Sequence, residues 1–338
     1  MFAYVWARTL SIVRRMNRPW LKDGVTIETS GCSVAKARTL ASVPRHPSPN
    51  TIVAMSLYGQ EPETTLIGAF LPKLDCRTVI DVGGERGSFA SEMLDAGADS
   101  VHVIEPEPAN VATLRERFAG DTRVKVHGIA AADADTALEL HVSTTPDGEP
   151  LPFGHTVLAR ADTDEIAWRT TVKVEARSLA SLVQAGEVPE RVGVLKIDTE
   201  GHDHAVVAGM GTLESDVVVV EHWADLPNSL GPCPWTLEDI ATPLRGRGFS
   251  HFAFIQHRSE FTILTWDDGD IPPSHMGNVV FLHDRVVDRL LPDVLTCASQ
   301  LAVRTVAVGE MYQTAAVERL ELIERLNREY GRRRFGRR

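Results

Sequence analysis

The stretch TVIDVGGERGSF, residues 78–89, decides the fold of this chain together with the segment VHVIEP, residues 101–106. The first stretch is an apolar run that ends in an acid and leads into a glycine-rich turn and the start of an amphipathic segment. The second is another apolar run that ends in an acid. This order predicts a strand, a turn, a helix and a strand, which form the first half of a nucleotide-binding α/β domain.

The turn and the end of the second strand contain the residues we expect to contact a nucleoside. Gly83, Gly84 and Gly87 have no Cβ atoms, so the chain can turn tightly and a ligand can approach the backbone. Glu105 follows the second strand and is followed by Pro106. A carboxylate at this position can accept hydrogen bonds from both hydroxyls of a ribose, and such bonds to an ionised acceptor are strong.

Asp81 indicates which nucleotide is bound. It occupies the place of the first glycine in the dinucleotide fingerprint Gly-x-Gly-x-x-Gly. A carboxylate there would repel a pyrophosphate, but it suits a cationic ligand without phosphate, such as S-adenosylmethionine. Two alternatives stay open: an ordinary buried βαβ unit with a structural aspartate, and a nicotinamide-dependent oxidoreductase, which Asp81 opposes.

Two further apolar runs end in polar residues. VGVLKIDTEGHD, residues 192–203, is a buried-strand pattern followed by a helix start, and VVVVEH, residues 217–222, repeats that layout. Ligands of open parallel sheets bind beyond the carboxyl ends of the strands, so the polar residues at these ends should converge on one rim. They are Asp81, Glu105, Asp198, Glu200, Glu221 and His222. The alternative is helix capping by Asp198 or Glu200 and a solvated strand end at Glu221.

Three motifs together resemble the FkbM family of S-adenosylmethionine-dependent methyltransferases. They are VIDVGGERG at residues 79–87, IEPEPAN at 104–110 and LKIDTEG at 195–201, and the resemblance covers roughly residues 64–285. The chain departs from the family pattern at Asp203, where a glutamate is usual, and at Gly84 and Glu85, where alanine or asparagine is common.

The resemblance implies an α/β, Rossmann-like class I methyltransferase fold. Its sheet would be mostly parallel and seven-stranded, with helices on both faces and a reversed strand near its end. We expect this domain at residues 61–285, between an extension and linker at 1–60 and a helical C-terminal extension with a basic end at 286–338. The segment at 143–169 is rich in turn residues, and we interpret it as a lid over the substrate.

The implied activity is O-methylation of a hydroxyl on a sugar, a glycan or a glycosylated metabolite, with S-adenosylmethionine as cofactor. A hydroxyl acceptor needs a base, and His222 is our first choice because an unperturbed imidazole titrates near neutrality. Glu200 and His202 are the next candidates. Lys196 and Asp198 would pair with each other and hold the rim in place.

Gly128 and Ile129 follow the predicted third strand, at the point where such folds contact adenine. A magnesium ion would need Asp198, Glu221 and His222 as ligands. Magnesium prefers oxygen ligands, so the histidine is an awkward member, and a magnesium ion stays an alternative that is not favoured. A non-catalytic, cofactor-binding scaffold in glycan assembly is the alternative from another class, with the helical tail as its docking element.

Composition limits the remaining function classes. A net charge of −11 and a pI near 5.6 argue against non-specific binding of nucleic acid. The four cysteines form no Cys-x-x-Cys pair, which is typical of reduced thiols in a cytoplasm. No apolar run reaches the length of a membrane span. The amphipathic C-terminal segment, with its arginine-rich end, predicts self-association or binding of a partner protein.

Overall fold

A computed structural model describes residues 62–222, 235–257, 262–267 and 277–301. The helices in this part are α1 (Pro62–Phe70), α2 (Ser88–Asp95), α3 (Pro108–Arg117), α4 (Leu179–Gln184), α5 (Asp203–Ala208), α6 (Leu237–Arg245) and α7 (287–301). The strands of the large sheet are β1 (Thr78–Val82), β2 (Ser100–Ile104), β3 (Val124–His127), β7 (Arg191–Ile197), β8 (Glu214–His222), β9 (His251–His257), β10 (Thr262–Asp267) and β11 (Gly277–Leu282). The strands β4 (Ala130–Ala132), β5 (Thr136–Thr144) and β6 (Ala167–Ser178) form a second sheet.

The large sheet has eight strands in the order β10-β9-β11-β8-β7-β1-β2-β3. The neighbours from β8 to β3 are parallel. Strand β11 is antiparallel to both β8 and β9, so the predicted reversed strand is confirmed. The α/β class is also confirmed, whereas the prediction of a seven-stranded sheet is corrected to a mixed sheet of eight strands in the described residues.

The additional strand is β10, which pairs antiparallel with β9 at the edge of the sheet. Its sequence, TILTWD, is short, and it pairs with one neighbour only. A short apolar run of this kind cannot be assigned to a strand by periodicity alone. The pairing of β9 and β10 therefore decided its conformation.

One face of the sheet packs against α4, α5 and α6. Strand residues Ile80, Ile197 and Val218 belong to a single buried cluster with Leu182 of α4 and Ile240 of α6. Successive side chains of a strand point to opposite faces, so Asp81 and Lys196 point to the other face.

Helix α1 lies on that other face. Val279 of β11 belongs to the buried cluster on the first face, so its neighbour Asn278 points to the other face. Asn278 Nδ2 donates to Glu63 Oε1 of α1 at 2.9 Å. The helices therefore cover both faces of the sheet, as predicted.

The described part of the C-terminal extension packs on the domain. In α7, Leu290, Leu291 and Val294 are buried, and Asp293 accepts a 2.6 Å bond from Lys73. The predictions for residues 1–60, and those for the tail beyond Leu301, lie outside the described residues. None of the helices in the described ranges is long and apolar enough to cross a membrane.

Candidate cofactor site

The loops after β1, β2 and β7 are joined by backbone hydrogen bonds. Gly83 and Gly84 both donate their N–H groups to the carbonyl of Ile104, at 2.9 and 3.3 Å. The N–H of Asp198 donates to the carbonyl of Val82 at 3.0 Å. Both glycine N–H groups are bonded to Ile104, so neither is free to donate to a ligand. The glycines instead let the backbone segments approach each other closely.

Gly83 is required by the packing of two motifs against each other. Its φ is +76°, and a Cβ atom built on it would collide with the backbone carbonyl of Asp198. A Cβ on Gly84 would collide with Val103. Gly87 has a φ of +82° and begins α2 as its N-cap. The glycine-rich turn thus brings the first motif directly against the third.

Glu105 follows β2 and is held by two backbone donors. Its two carboxylate oxygens accept backbone N–H groups from Glu85, at 2.9 Å, and from Glu107, at 2.8 Å. Burial raises the pKa of Glu105 to about 7, although these two bonds act in the opposite direction. Each carboxylate oxygen has a second lone pair, so both can still accept a ribose hydroxyl.

A cavity of about 100 Å³ lies between these loops and the lid segment, residues 143–169. Six of the residues singled out from the sequence line it: Gly83, Glu105, Pro106, Asp198, Glu200 and His202. Further residues on its wall are Glu85, Asn110, Ala130, Ala131, Leu140, Pro152, Phe153, Gly154, His155, Val157 and Thr199.

The lid segment crosses the cavity, and residues in its middle are tied down at both ends of that cavity. Near Glu105, Asn110 Nδ2 donates to the carbonyl of Pro152 at 2.8 Å. At the other end, Thr156 Oγ1 and Arg160 donate to the carbonyl of Glu200, at 2.8 and 2.9 Å. The segment therefore covers the space between the second and third motifs.

Lys196 and Asp81 face each other beneath the rim. Lys196 Nζ lies 3.4 Å from Asp81 Oδ1 and 3.2 Å from Asp198 Oδ2. Burial alone would lower the pKa of Lys196, but the carboxylates of Asp198 and Asp81 raise it on balance. Burial raises the pKa of Asp81, which is fully buried. Asp81 is therefore directed at Lys196, and neither of these two residues lines the cavity.

Glu200 lies in a strained turn of the third motif. Its φ is +54°, an unusual value for a residue with a side chain. Burial, with a contribution from Asp198, raises the pKa of Glu200 to about 7, whereas Arg160 acts in the opposite direction. This places a carboxylate that titrates near neutrality in the wall of the cavity.

Asp203 holds the same turn together. It accepts hydrogen bonds from the backbone and hydroxyl of Thr199 and from the N–H of Gly201, at 3.1–3.4 Å. Burial, followed by the charge of Asp198, raises the pKa of Asp203 to about 7. The position that departs from the family pattern is thus occupied by a carboxylate with three local donors.

His222 and Glu221 point to different faces at the end of β8. His222 packs against Trp235 and Phe254, at ring-centroid distances of 5.2 and 6.2 Å. Burial lowers the pKa of His222 to about 4, and the residue does not line the cavity. Burial, and then the charges of Asp198 and Glu200, raise the pKa of Glu221 well above its usual value.

Gly128 and Ile129 do not line the cavity. Ile129 packs against the large core cluster, and the wall is formed instead by the two residues after it, Ala130 and Ala131. The reason is strand β4, whose pairing with β6 sets the direction of the chain at this point. The sequence analysis did not predict Asn110 as a residue of the cavity wall. Its position at the end of the IEPEPAN motif could have indicated it.

No group of three or more His, Cys, Asp or Glu is arranged to hold a metal ion in the described ranges. Lys196 Nζ lies between Asp81 and Asp198, so two of the rim carboxylates already face a fixed cation. The residues present are suited to an organic cation. A ribose acceptor at Glu105 and an excess of buried carboxylates fit S-adenosylmethionine.

Comparison with known proteins identifies this domain as an S-adenosylmethionine-dependent methyltransferase. Residues 81–231 match the family described as Methyltransferase FkbM domain. This chain therefore carries an FkbM methyltransferase domain, and its cofactor is S-adenosylmethionine. The oxidoreductase and scaffold alternatives are set aside. No curated protein matches the chain.

Solved structures of methyltransferases show a weak similarity. The methyltransferase domain of bacterial CtHen1-C is 12% identical, with a TM-score of 0.36, over 66% of this chain and 97% of that one. The N-terminal domain of EvdMO1 with SAH bound is 10% identical, with a TM-score of 0.36, over 68% and 83%. A SAM-dependent methyltransferase from Aquifex aeolicus is 11% identical, with a TM-score of 0.35, over 70% and 93%.

Proposed function

We propose that this protein transfers the methyl group of S-adenosylmethionine to a hydroxyl oxygen of a sugar, a glycan or a glycosylated metabolite. The observation that carries this proposal is Glu200, whose burial raises its pKa to about 7 and which lines the same cavity as Glu105. A base is most effective when its pKa lies near the working pH. A hydroxyl acceptor needs such a base, because its proton must leave as the methyl group arrives.

The cofactor is proposed to lie in this cavity with its ribose at Glu105 and its methionine half toward Asp198. Gly83 and Pro106 then form the floor under the nucleoside. Binding an adenosyl cofactor requires the lid segment to move, since the cavity measures about 100 Å³ and small-molecule sites measure about 300–1,000 Å³. Closure of the lid segment would exclude water from the reacting atoms.

Glu200 is proposed as the base that accepts the proton of the acceptor hydroxyl. His222 is a weaker candidate, because its pKa of about 4 makes it a poor proton acceptor and it does not line the cavity. Lys196 stays protonated between Asp81 and Asp198, so its role is to hold Asp198 in position. The attacking oxygen, the methyl carbon and the sulfur must lie in line, and alignment contributes much of the rate.

Phe153 is proposed to contact the acceptor. It lines the cavity. Among the described residues, Phe153 is the large hydrophobic side chain that is exposed, with 50% of its surface accessible. Its ring offers an apolar contact to a molecule that enters the cavity. The apolar face of a sugar ring fits this position, and the sugar or glycan class is also what the family resemblance implies.

The cellular setting is a proposal as well. Cys76 and Cys297 are free thiols among the described residues, which agrees with a reducing cytoplasm. The net charge of −11 continues to argue against nucleic acid as the acceptor. Binding of a partner, or of a second copy, through the C-terminal segment stays a prediction.

Two measurements test the proposed function. Calorimetry with S-adenosylmethionine, S-adenosylhomocysteine and NAD should show binding of the first two ligands and none of NAD. Transfer of a labelled methyl group is then assayed on sugars, glycans and glycosylated metabolites, with matched amines as controls, and the methylated atom is found by NMR. Methyl groups on oxygen support the proposal, and methyl groups on nitrogen or carbon contradict it.

A further inference from the structure

The lid segment carries a half-buried histidine that the reaction described above does not use. His155 lines the cavity, and its Nδ1 accepts the backbone N–H of Ser143 at 3.0 Å. The hydroxyl of Ser143 is 3.2 Å from the same Nδ1, but it donates to the carbonyl of Phe153. Nδ1 is therefore held as an acceptor by a backbone donor.

This bond decides the tautomer of His155. A neutral imidazole carries one proton, so a ring whose Nδ1 accepts a hydrogen bond carries its proton on Nε2. Burial lowers the pKa of His155, which keeps the ring neutral. The Nε2 atom is buried and has no hydrogen-bond partner among residues 62–222, 235–257, 262–267 and 277–301. An N–H group left buried without an acceptor is costly, so a ligand that supplies one is favoured.

The position of His155 along the lid segment indicates which part of the ligand it meets. Pro152, three residues before it, is tied to Asn110, which lies on the same wall as Glu105. Glu107, two residues beyond Glu105, is close enough to influence the ionisation of His155. The residues on either side of His155 contact Glu200, since Gly154 N–H and Thr156 Oγ1 donate to it, so the backbone here lies near the third motif. The charges that act on the ring are those of Glu107 and Arg86, and the ring is therefore on the ribose side of the cavity.

The backbone of His155 is held in place. The next residue, Thr156, exchanges both of its backbone hydrogen bonds with His141 of β5, at 2.8 and 3.1 Å. Ser143 is fully buried. The lid segment has to return to this arrangement after the cofactor enters, and the ring then meets the ligand with its orientation already set.

We propose that His155 is a cofactor-binding residue whose Nε2–H donates a hydrogen bond to the adenosine half of S-adenosylmethionine, at a ribose oxygen or an adenine ring nitrogen. Glu105 accepts hydrogen bonds from the nucleoside and His155 donates one to it. The inference rests on the placement of the cofactor in this cavity, which belongs to the proposed function, but it does not depend on the acceptor.

Two substitutions separate the binding role from a structural role. In His155→Asn the side-chain oxygen takes the place of Nδ1 and keeps the bond to Ser143, but the outer donor is lost. In His155→Gln the side-chain amide reaches the place of Nε2 and keeps that donor, but the bond to Ser143 is lost. His155→Asn therefore removes only the donor to the ligand, and His155→Gln removes only the bond to Ser143.

The affinities of two probes are measured by calorimetry: S-adenosylhomocysteine and 5′-methylthioadenosine, which has the nucleoside but no amino acid. We expect His155→Asn to weaken both by about tenfold, the factor for one hydrogen bond to a buried group. His155→Gln should bind both probes more tightly than His155→Asn does, while its melting temperature falls further.

Other outcomes would overturn the inference. Equal losses of affinity in the two variants, or a loss in His155→Gln alone, would assign His155 a structural role. A loss for S-adenosylhomocysteine without one for 5′-methylthioadenosine would move the contact to the amino-acid half. If the unaltered protein bound neither probe, the placement of the cofactor would fail and the inference with it.

The tautomer is tested without a ligand. Long-range ¹H–¹⁵N NMR spectra of the free protein should show His155 protonated at Nε2 and unprotonated at Nδ1 around neutral pH. A proton on Nδ1 would overturn the inference independently of any binding measurement.

Discussion

Single residues of this site owe their proton affinity mainly to burial. Glu105, Glu200 and Asp203 each have a pKa of about 7, and burial is the largest cause in all three. The roles of the three carboxylates differ, because different groups surround them. Asp203 is surrounded by local donors and serves the turn, whereas Glu105 and Glu200 line the cavity and are available to a ligand.

Glu105→Ala should weaken the binding of S-adenosylhomocysteine by about tenfold or more, because the ribose loses a charged acceptor. Calorimetry measures the affinity, and a melting curve checks that the variant is folded. Glu139→Ala, at an exposed position of β5, is the matched control and should bind normally. An unchanged affinity in Glu105→Ala would remove Glu105 from the ribose site.

Glu200→Gln should lower the rate of methyl transfer by about 10²–10⁴ without a large change in the affinity for the uncharged S-adenosylhomocysteine. In the unaltered protein the rate should rise as the pH rises through about 7, because Glu200 acts after it has lost its proton. The rate of Glu200→Gln should lack this rise. Single-turnover rates across the pH range measure both effects.

His222→Ala is the comparison for that experiment. Because His222 does not line the cavity, its loss should leave the pH profile of the rate unchanged. A large fall in the rate of His222→Ala, with Glu200→Gln fully active, would return the role of base to His222.

Among the elements, the loops after β1 and β7 form one unit. Gly83→Ala should destabilise the protein and abolish cofactor binding, because a Cβ there meets the carbonyl of Asp198 and the φ of +76° is unfavourable for alanine. Gly120→Ala is the matched control, since Gly120 also has a positive φ, of +87°, but has nothing within 4 Å of a Cβ. Chemical denaturation and calorimetry measure the two effects.

The comparison of these two glycines separates strain from collision. Gly120→Ala has the backbone strain alone, which costs on the order of 1–3 kcal/mol. If Gly83→Ala lost no more stability than Gly120→Ala and still bound the cofactor, the contact between the two loops would not be needed for the site.

The strand ends carry several buried carboxylates, and their charge should favour the methylated cofactor. As the pH rises through about 7, Glu105 and Glu200 lose protons, so the negative charge around the sulfonium increases. The affinity for S-adenosylmethionine should then rise relative to that for the uncharged S-adenosylhomocysteine. An increase of at least about tenfold is expected, since one charge as far away as about 12 Å in an effective dielectric of about 20 already gives that factor.

The two dissociation constants, measured below and above neutrality, test this prediction. Glu200→Gln should show a smaller change in their ratio, because one of the titrating groups is gone. A ratio that stays constant across the pH range would show that these carboxylates do not act on the sulfonium.

Across the whole molecule, helix α7 ties the end of the described chain to the domain. Leu291→Ala should lower the free energy of unfolding by about 2–5 kcal/mol, because Leu291 is 1% exposed. Ser299→Ala, at an exposed position of the same helix, should change stability by less than about 0.5 kcal/mol. Urea denaturation measures both, and equal losses would indicate that the helix is a separate tail.

The stability of the protein should also depend on pH through Glu200. The pKa of this side chain rises from 4.5 to about 7 on folding, so the folded state binds more protons than the unfolded state between these values. Its contribution to stability is therefore complete below pH 4.5 and is lost as the pH rises through about 7. Glu200→Gln should show a flatter dependence of the unfolding free energy on pH over that window.

The local pattern of the sequence determined most of the sheet. The apolar runs at 78–83, 101–105, 124–127, 192–198 and 217–221 became strands within a few residues of those bounds. Their terminal acids lie at one edge because parallel strands end on the same side of a sheet. The glycines of the turn were likewise readable, because a tight turn and close packing leave few other choices.

Tertiary structure decided what each polar side chain does. Alternation along a strand sends Asp81 and Lys196 to one face and His222 to the other, and no single-strand pattern says which face meets the ligand. The burial that gives Glu200 its pKa of about 7, and the lid segment that brings His155 to the cavity, come from contacts between residues distant in the chain. Proton affinity depends on such surroundings, so residue types alone indicated a rim of acids, and the packing of loops selected which of them line the cavity.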